Sequence, residues 1–125
     1  MNKTLDFIED TNPTEFVLAE RKHFLHIAKK YANSLKGETT RNSGKLDLSS
    51  TFVYEINNYR IILTYCSSKI LPRASRLLNI LLANMALAWE NRRACEDMPY
   101  IADRVVIAYE RLADYLETEE KRAKE

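Results

Sequence analysis

The chain is 125 residues long, enough for one domain to bury roughly two-thirds of its unfolded surface around a single core. Its 46% hydrophobic and 30% charged residues exclude an extended disordered chain. The net charge of +1 hides an uneven distribution, and it is the distribution that bears on function.

Only two glycines and three prolines interrupt the chain, and helix interiors exclude both residue types. The expected fold is all-α: a mostly antiparallel four-helix bundle, one domain over 1–125, with helices at about 13–36, 50–71, 72–94 and 98–122. Residues 1–11 add a short helix carrying Leu5 and Ile8 in this reading. The first long helix opens at Asn12-Pro13-Thr14-Glu15, where Asn12 caps, Pro13 takes the first helical position and Glu15 completes a capping box. Val17, Phe24, Ile27, Ala28, Tyr31 and Leu35 then recur three or four apart, and Gly37 is expected to close the helix in a left-handed conformation.

Residues 38–49 have loop composition and form the longest expected connection. The second helix is expected to start near Ser49 to Thr51, because Phe52, Ile56, Tyr59, Leu63, Cys66 and Ile70 alternate steps of four and three. Pro72 marks a turn into the third helix, since it disfavours helical geometry at Leu71 and follows Ser67 and Ser68. From Pro72 to about Arg93 apolar residues nearly surround the axis. Leu78, Leu81 and Met85 form the main stripe, and Ile80 and Leu87 lie furthest from it. Ile80 and Leu87, with Tyr54 on the second helix, are therefore the candidate surface for self-association or a protein partner. The last helix presents Ile101, Val105, Ala108, Leu112 and Leu116, and ends in a charged segment with i,i+4 pairs such as Glu117 and Lys121.

Residues 36–93 carry nine basic residues against four acidic ones, whereas 94–125 carry five against nine. Lys69, Arg73 and Arg76, with Arg60, Arg92 and Arg93, are the candidate contacts to an RNA or DNA backbone, and Asn57, Asn58 and Tyr54 stand near enough to add polar or stacking contacts. Opposed charges that steer packing or assembly explain the same split. Arg92 and Arg93 also complement a helix C-terminus without any ligand.

Chemistry is weakly represented. Glu20-Arg21-Lys22-His23 places a carboxylate and an imidazole on one helical face, but a di-iron bundle needs two such motifs and two further glutamates, and His26 is three residues from His23 rather than four. No metal, cofactor or catalytic residue is therefore assigned. Cys66 continues the second-helix seam and Cys95 follows two arginines. With no C-x-x-C spacing, both are expected as free thiols in a reducing compartment, the cytoplasm. No apolar run approaches the ~18 residues of a membrane span, and the opening Met1-Asn2-Lys3-Thr4-Leu5-Asp6 is too acidic and mixed for a signal peptide.

Asn33-Ser34-Leu35-Lys36-Gly37 resembles the His-x-Leu-Lys-Gly of histidine phosphotransfer domains, themselves four-helix bundles of similar size. Asn33 stands where that family has its phosphate-accepting histidine, which excludes phosphotransfer through this position. In size and all-helical character the chain also looks like the small helical subunits of CRISPR effector complexes and other nucleoprotein accessory bundles. The expected function is that of a non-enzymatic accessory or regulatory subunit acting by binding, in its sharper form within a nucleoprotein complex. The alternative is an inhibitor or adaptor that self-associates through the third helix and binds no nucleic acid, and the third reading is a helical-bundle enzyme or metal protein.

Overall fold

The computed structural model describes residues 10–37, 42–93 and 96–124, and of residues 34–37 and 42–50 the backbone alone. The described residues are all-α: α1 (Pro13–Gly37), α2 (Asn42–Tyr65), α3 (Ser75–Glu90) and α4 (Met98–Lys124), with no strand among them. The expected short helix around Leu5 and Ile8 lies outside the described residues, apart from its last positions.

α1 starts as its capping sequence dictates. The Asn12 side-chain carbonyl accepts the Glu15 N–H at 3.0 Å, and the Asn12 main-chain carbonyl accepts that of Phe16 at 2.9 Å. Its end differs from expectation: Gly37 is the last helical residue, and no described glycine has positive φ. Glycine accepts right-handed geometry as readily as left-handed, so it closes a helix in either form.

α2 begins at Asn42, about seven residues before the expected start, and absorbs most of the segment assigned to a loop. Leu48 and Phe52 are four apart, so the helical spacing reaches back past Ser49, and one interior glycine, Gly44, costs only about 1 kcal/mol. α2 also stops earlier than expected, at Tyr65 rather than 71. The connection to α3 is two 3-10 turns, Ser67–Lys69 and Pro72–Ala74. Ile70 (ψ 154°) and Leu71 (ψ 133°) are extended between them, as a following proline requires of Leu71. The Thr64 and Ser67 hydroxyls donate to the carbonyls of Arg60 (2.7 Å) and Thr64 (2.9 Å), competing with the helical ladder where it ends. Cys66 and Ile70 remain buried beyond that end, which is why the apolar spacing reads as helix past the last helical residue.

α3 is shorter than expected at both ends. Pro72 and Arg73 belong to the 3-10 turn, and the Asn91 side chain donates to the Leu87 carbonyl at 2.8 Å, so residues 91–93 turn away. α4 runs two residues further than the expected 122.

Each helix packs on two others: α1 on α2 and α4, and α3 on α2 and α4. Phe16 and Glu20 meet Tyr59, His23 meets Glu55, and Tyr31 stacks on Phe52 at 4.7 Å, so contacts that advance along α1 retreat along α2. The core takes in positions the apolar spacing selects, namely Val17, Phe24 and Tyr31; Phe52, Ile56, Tyr59, Leu63, Cys66 and Ile70; Leu78, Leu81 and Met85; and Ile101, Val105, Ala108, Leu112 and Leu116. Ile27 and Ala28 of α1 are only partly buried, and Leu35 lies outside the residues whose side chains are described. Val53, Met98 and Ala113 join the core without having been singled out by that spacing. Among the described residues no helix is long and apolar enough to cross a membrane.

Candidate functional site

The six basic candidates do not share one surface. Lys69 and Arg73 lie in the two 3-10 turns and Arg76 in the first turn of α3. There Glu119 of α4 joins Leu71, Pro72 and Arg73 around one surface depression, placing a carboxylate among the cations. Arg60 lies in the last turns of α2, five residues before its end at Tyr65, its Nε and Nη2 donating to the Asn57 side-chain carbonyl at 3.0 and 2.8 Å. Arg92 sits past the far end of α3, 16 residues long or roughly 24 Å. Its guanidinium lies 4.2 Å from the Trp89 ring centre and donates to the Trp89 carbonyl at 2.9 Å. Arg93 is exposed beside it. Sequence proximity grouped these residues, and the length of α3 separates them.

The chemical candidates are held by structural contacts. Glu20 accepts the Tyr59 hydroxyl at 3.2 Å, and His23 is 3.9 Å from Glu55. Among the described residues no three His, Cys, Asp or Glu side chains are grouped to hold a metal. The Cys66 thiol donates to the Leu63 carbonyl at 3.8 Å, and burial pushes its pKa up, away from thiolate reactivity. Cys95 lies outside the described residues. Asn33, at the position that resembles a phosphotransfer histidine, is exposed on α1.

A carboxylate cluster that sequence reasoning missed lies between α1 and α4. Arg21 donates to Glu110 and, at 2.7 Å, to Asp114, with Glu117 at 3.6 Å. Hydrogen bonds to Asp114 and Glu110 push the Arg21 pKa up, keeping it charged. Asp103 also faces α1, lining a depression with Ala28, Tyr31 and Ala32. The described acids of central α4 are thus turned toward α1.

The opposite flank of α4 carries a concave surface of different character. Leu77, Ile80 and Asn84 of α3 with Arg104, Ile107, Ala108 and Arg111 of α4 line a groove of about 260 Å³. Ile80 is 43% exposed and Ile107 50%, a large apolar exposure for two residues on one concavity. Leu87, two turns beyond Ile80, and Tyr100, two turns before Ile107, extend the same ridges and are also exposed. Asn84, buried in the floor, donates to the Ile80 carbonyl at 2.9 Å and accepts Arg104 Nε at 3.2 Å. Arg104 Nη1 donates to the Tyr100 hydroxyl at 2.9 Å.

Of the three expected interface residues, Ile80 lines this groove and Leu87 continues its ridge, while Tyr54, also exposed, lies elsewhere. It packs edge-on against Trp89 at 5.2 Å, between α2 and α3. Arg104 and Arg111 went unassigned, although a signal was present: Asp103, Glu110 and Glu117 repeat every seven residues, each followed one place later by Arg104, Arg111 and Thr118. Seven residues are nearly two helical turns, so this repeat puts acids on one flank and arginines on the next. Compared with known proteins, the chain matches no family model, and neither a curated protein nor a solved structure is significantly similar to it.

Proposed function

We propose that the chain is a non-enzymatic accessory or regulatory subunit, an up-and-down antiparallel four-helix bundle that acts by docking a protein through its α3/α4 face. The observation that carries this reading is the groove itself, with Ile80 and Ile107 exposed on opposite walls. Burying such residues against a partner stabilises the complex at roughly 25 cal/mol per Å², before the costs of association are subtracted.

A photo-crosslinking residue at Ile107 should give one discrete adduct in the native cell, identified by mass spectrometry, whereas the same group at Lys29 on α1 should not. Adding Leu87→Lys should remove the adduct and leave the circular dichroism unchanged. Equal labelling from both positions, or an adduct indifferent to Leu87→Lys, would discard the docking face.

A second reading, within a nucleoprotein complex, draws on the grouping of Lys69, Arg73 and Arg76 where α2 passes to α3. Glu119 beside Arg73 and the internal engagement of Arg60 and Arg92 weigh against it. Anisotropy with labelled single-stranded RNA and duplex DNA is expected to show no binding at about 50 mM salt, conditions that favour phosphate contacts. Binding that weakens steeply by about 200 mM and disappears in Arg73→Glu/Arg76→Glu would establish the nucleic-acid reading instead.

A further inference from the structure

We infer that the α3/α4 groove receives an acidic amphipathic helix of a partner protein. Carboxylates seven residues apart on that helix pair with Arg104 and Arg111, and an apolar side chain between them seats between Ile80 and Ile107. The inference rests on the docking face proposed above and adds the chemistry of its occupant.

Charge selects the occupant. The lining contains two exposed arginines and no carboxylate. The nearest acids of α4 are directed elsewhere: Asp103 faces α1, and Glu110, Asp114 and Glu117 gather on Arg21. Arg111 makes no ion pair or hydrogen bond with the described residues, so its charge is uncompensated among them. An apolar trough with only positive charge in its walls favours a ligand that is apolar along one stripe and anionic beside it.

Arg104 is already held for this task. Of the five N–H donors of a guanidinium, one meets Asn84 and one meets Tyr100; three remain for a carboxylate. Asn84 is a positioning residue: buried and anchored to the Ile80 carbonyl, it fixes the Arg104 side chain against the wall of the groove. A side chain ordered before binding loses less entropy when it binds.

Spacing selects a helix. Arg104 and Arg111 are seven residues apart on α4, a rise of about 10.5 Å. A helix lying along the groove repeats that rise, so its residues i and i+7 reach both arginines while i+3 or i+4 faces the isoleucines. Nucleic acid supplies phosphates but no apolar stripe for Ile80 and Ile107. A second copy of this chain offers Asp103, Glu110 and Glu117 at the required spacing, but Glu110 and Glu117 are engaged with Arg21. That contact, being head-to-tail, would also propagate into rings or filaments rather than stop at a pair.

The test is a display library of 16-residue amphipathic helical peptides with leucine fixed at the central positions and two flanking positions, seven apart, fully randomised. Selected on the full chain, it should enrich Asp or Glu at both positions. A selected peptide, made synthetically, should lose about tenfold in affinity for each of Arg104→Glu and Arg111→Glu, while Lys29→Glu on the far face changes nothing. On the double-reversal protein the enrichment should move to Lys or Arg. If that protein does not fold, Arg104→Gln/Arg111→Gln serves in its place, with the enrichment lost rather than inverted.

Neutral or basic winners, or acidic winners that bind the variants equally well, would overturn the inference. So would labelled RNA or DNA displacing the peptide, or self-assembly abolished by the double reversal, which would identify the occupant as nucleic acid or a second copy. Absence of peptide enrichment alongside a surviving Ile107 crosslink would reject the acidic helix but keep the docking face; loss of both would reject the face as well.

Discussion

Tyr109→Ala is expected to lower the unfolding free energy by about 3–5 kcal/mol, as truncation of a large buried aromatic does, a large part of the roughly 5–15 kcal/mol available to a small domain. Tyr109 is fully buried where α4 meets α1, its ring stacked on Phe24 at 4.1 Å and 8° and its hydroxyl donating to the Val17 carbonyl at 2.6 Å. Tyr59 of α2 reaches the same cluster, edge-on to Phe24 at 5.8 Å and to Tyr109 at 6.5 Å. Three of the four described helices thus meet in one group of rings. Tyr109→Phe keeps the stack and removes only the hydroxyl; because Val17 lies inside α1 and its carbonyl also serves the helical ladder, the cost should be about 1 kcal/mol. Urea unfolding followed by circular dichroism measures both. Equal losses would assign the energy to the hydrogen bond, and a loss below about 1.5 kcal/mol for the alanine variant would mean that neighbouring side chains refill the space.

The core that holds these rings was legible because burial and helical period are one signal. Every residue of the second-helix seam, Phe52 to Ile70, is buried, as are the five positions read on α4. The ends of helices were less legible, for two different reasons. Before Ser49 the composition is that of a loop, with Asn42, Ser43 and Gly44 in succession, yet the chain is helical there. Local preference is a weak prior that context overrides. After Tyr65 the opposite holds, since Cys66 and Ile70 keep the apolar spacing after the helical hydrogen bonds have given way to 3-10 turns. Spacing reports which residues face the core, not which hydrogen bonds connect them.

The candidate groove was half legible. Ile80 and Leu87 stand out because they lie off the main stripe of an unusually apolar helix, and the structure leaves both exposed. Their cationic companions were hidden by summing charge along the chain. Residues 94–125 hold nine acids and five bases, which reads as an acidic segment. Successive residues on a helix are 100° apart, however, so neighbours such as Asp103 and Arg104 face different elements. Glu110, Asp114 and Glu117 meet Arg21, 89 residues away in sequence in the case of Glu110, and Arg104 and Arg111 are left to the α3 side. That the acids find a cation on α1, and that Asn84 is buried where it can hold Arg104, are consequences of packing that no local spacing encodes.

Alkaline pH should destabilise the protein through the same aromatic cluster. Burial, reinforced by the neighbouring Glu20 carboxylate, pushes the Tyr59 hydroxyl far above the ordinary value of 10.0, and burial does the same to Tyr109. In the unfolded chain both phenols ionise near pH 10, while in the folded chain both keep their protons. The folded state therefore binds more protons above pH 10, and stability, fully present below that value, falls as pH rises. Each group costs about 1.4 kcal/mol per pH unit beyond pH 10, or roughly 3 kcal/mol for the pair between pH 8 and 11. The buried Cys66 thiol, also raised, begins to contribute about one unit lower. Urea midpoints at pH 8, 10 and 11 should show the loss, and Tyr59→Phe and Tyr109→Phe should each remove about half of the tyrosine contribution. An alkaline loss of the same size in both phenylalanine variants would place its origin outside this cluster.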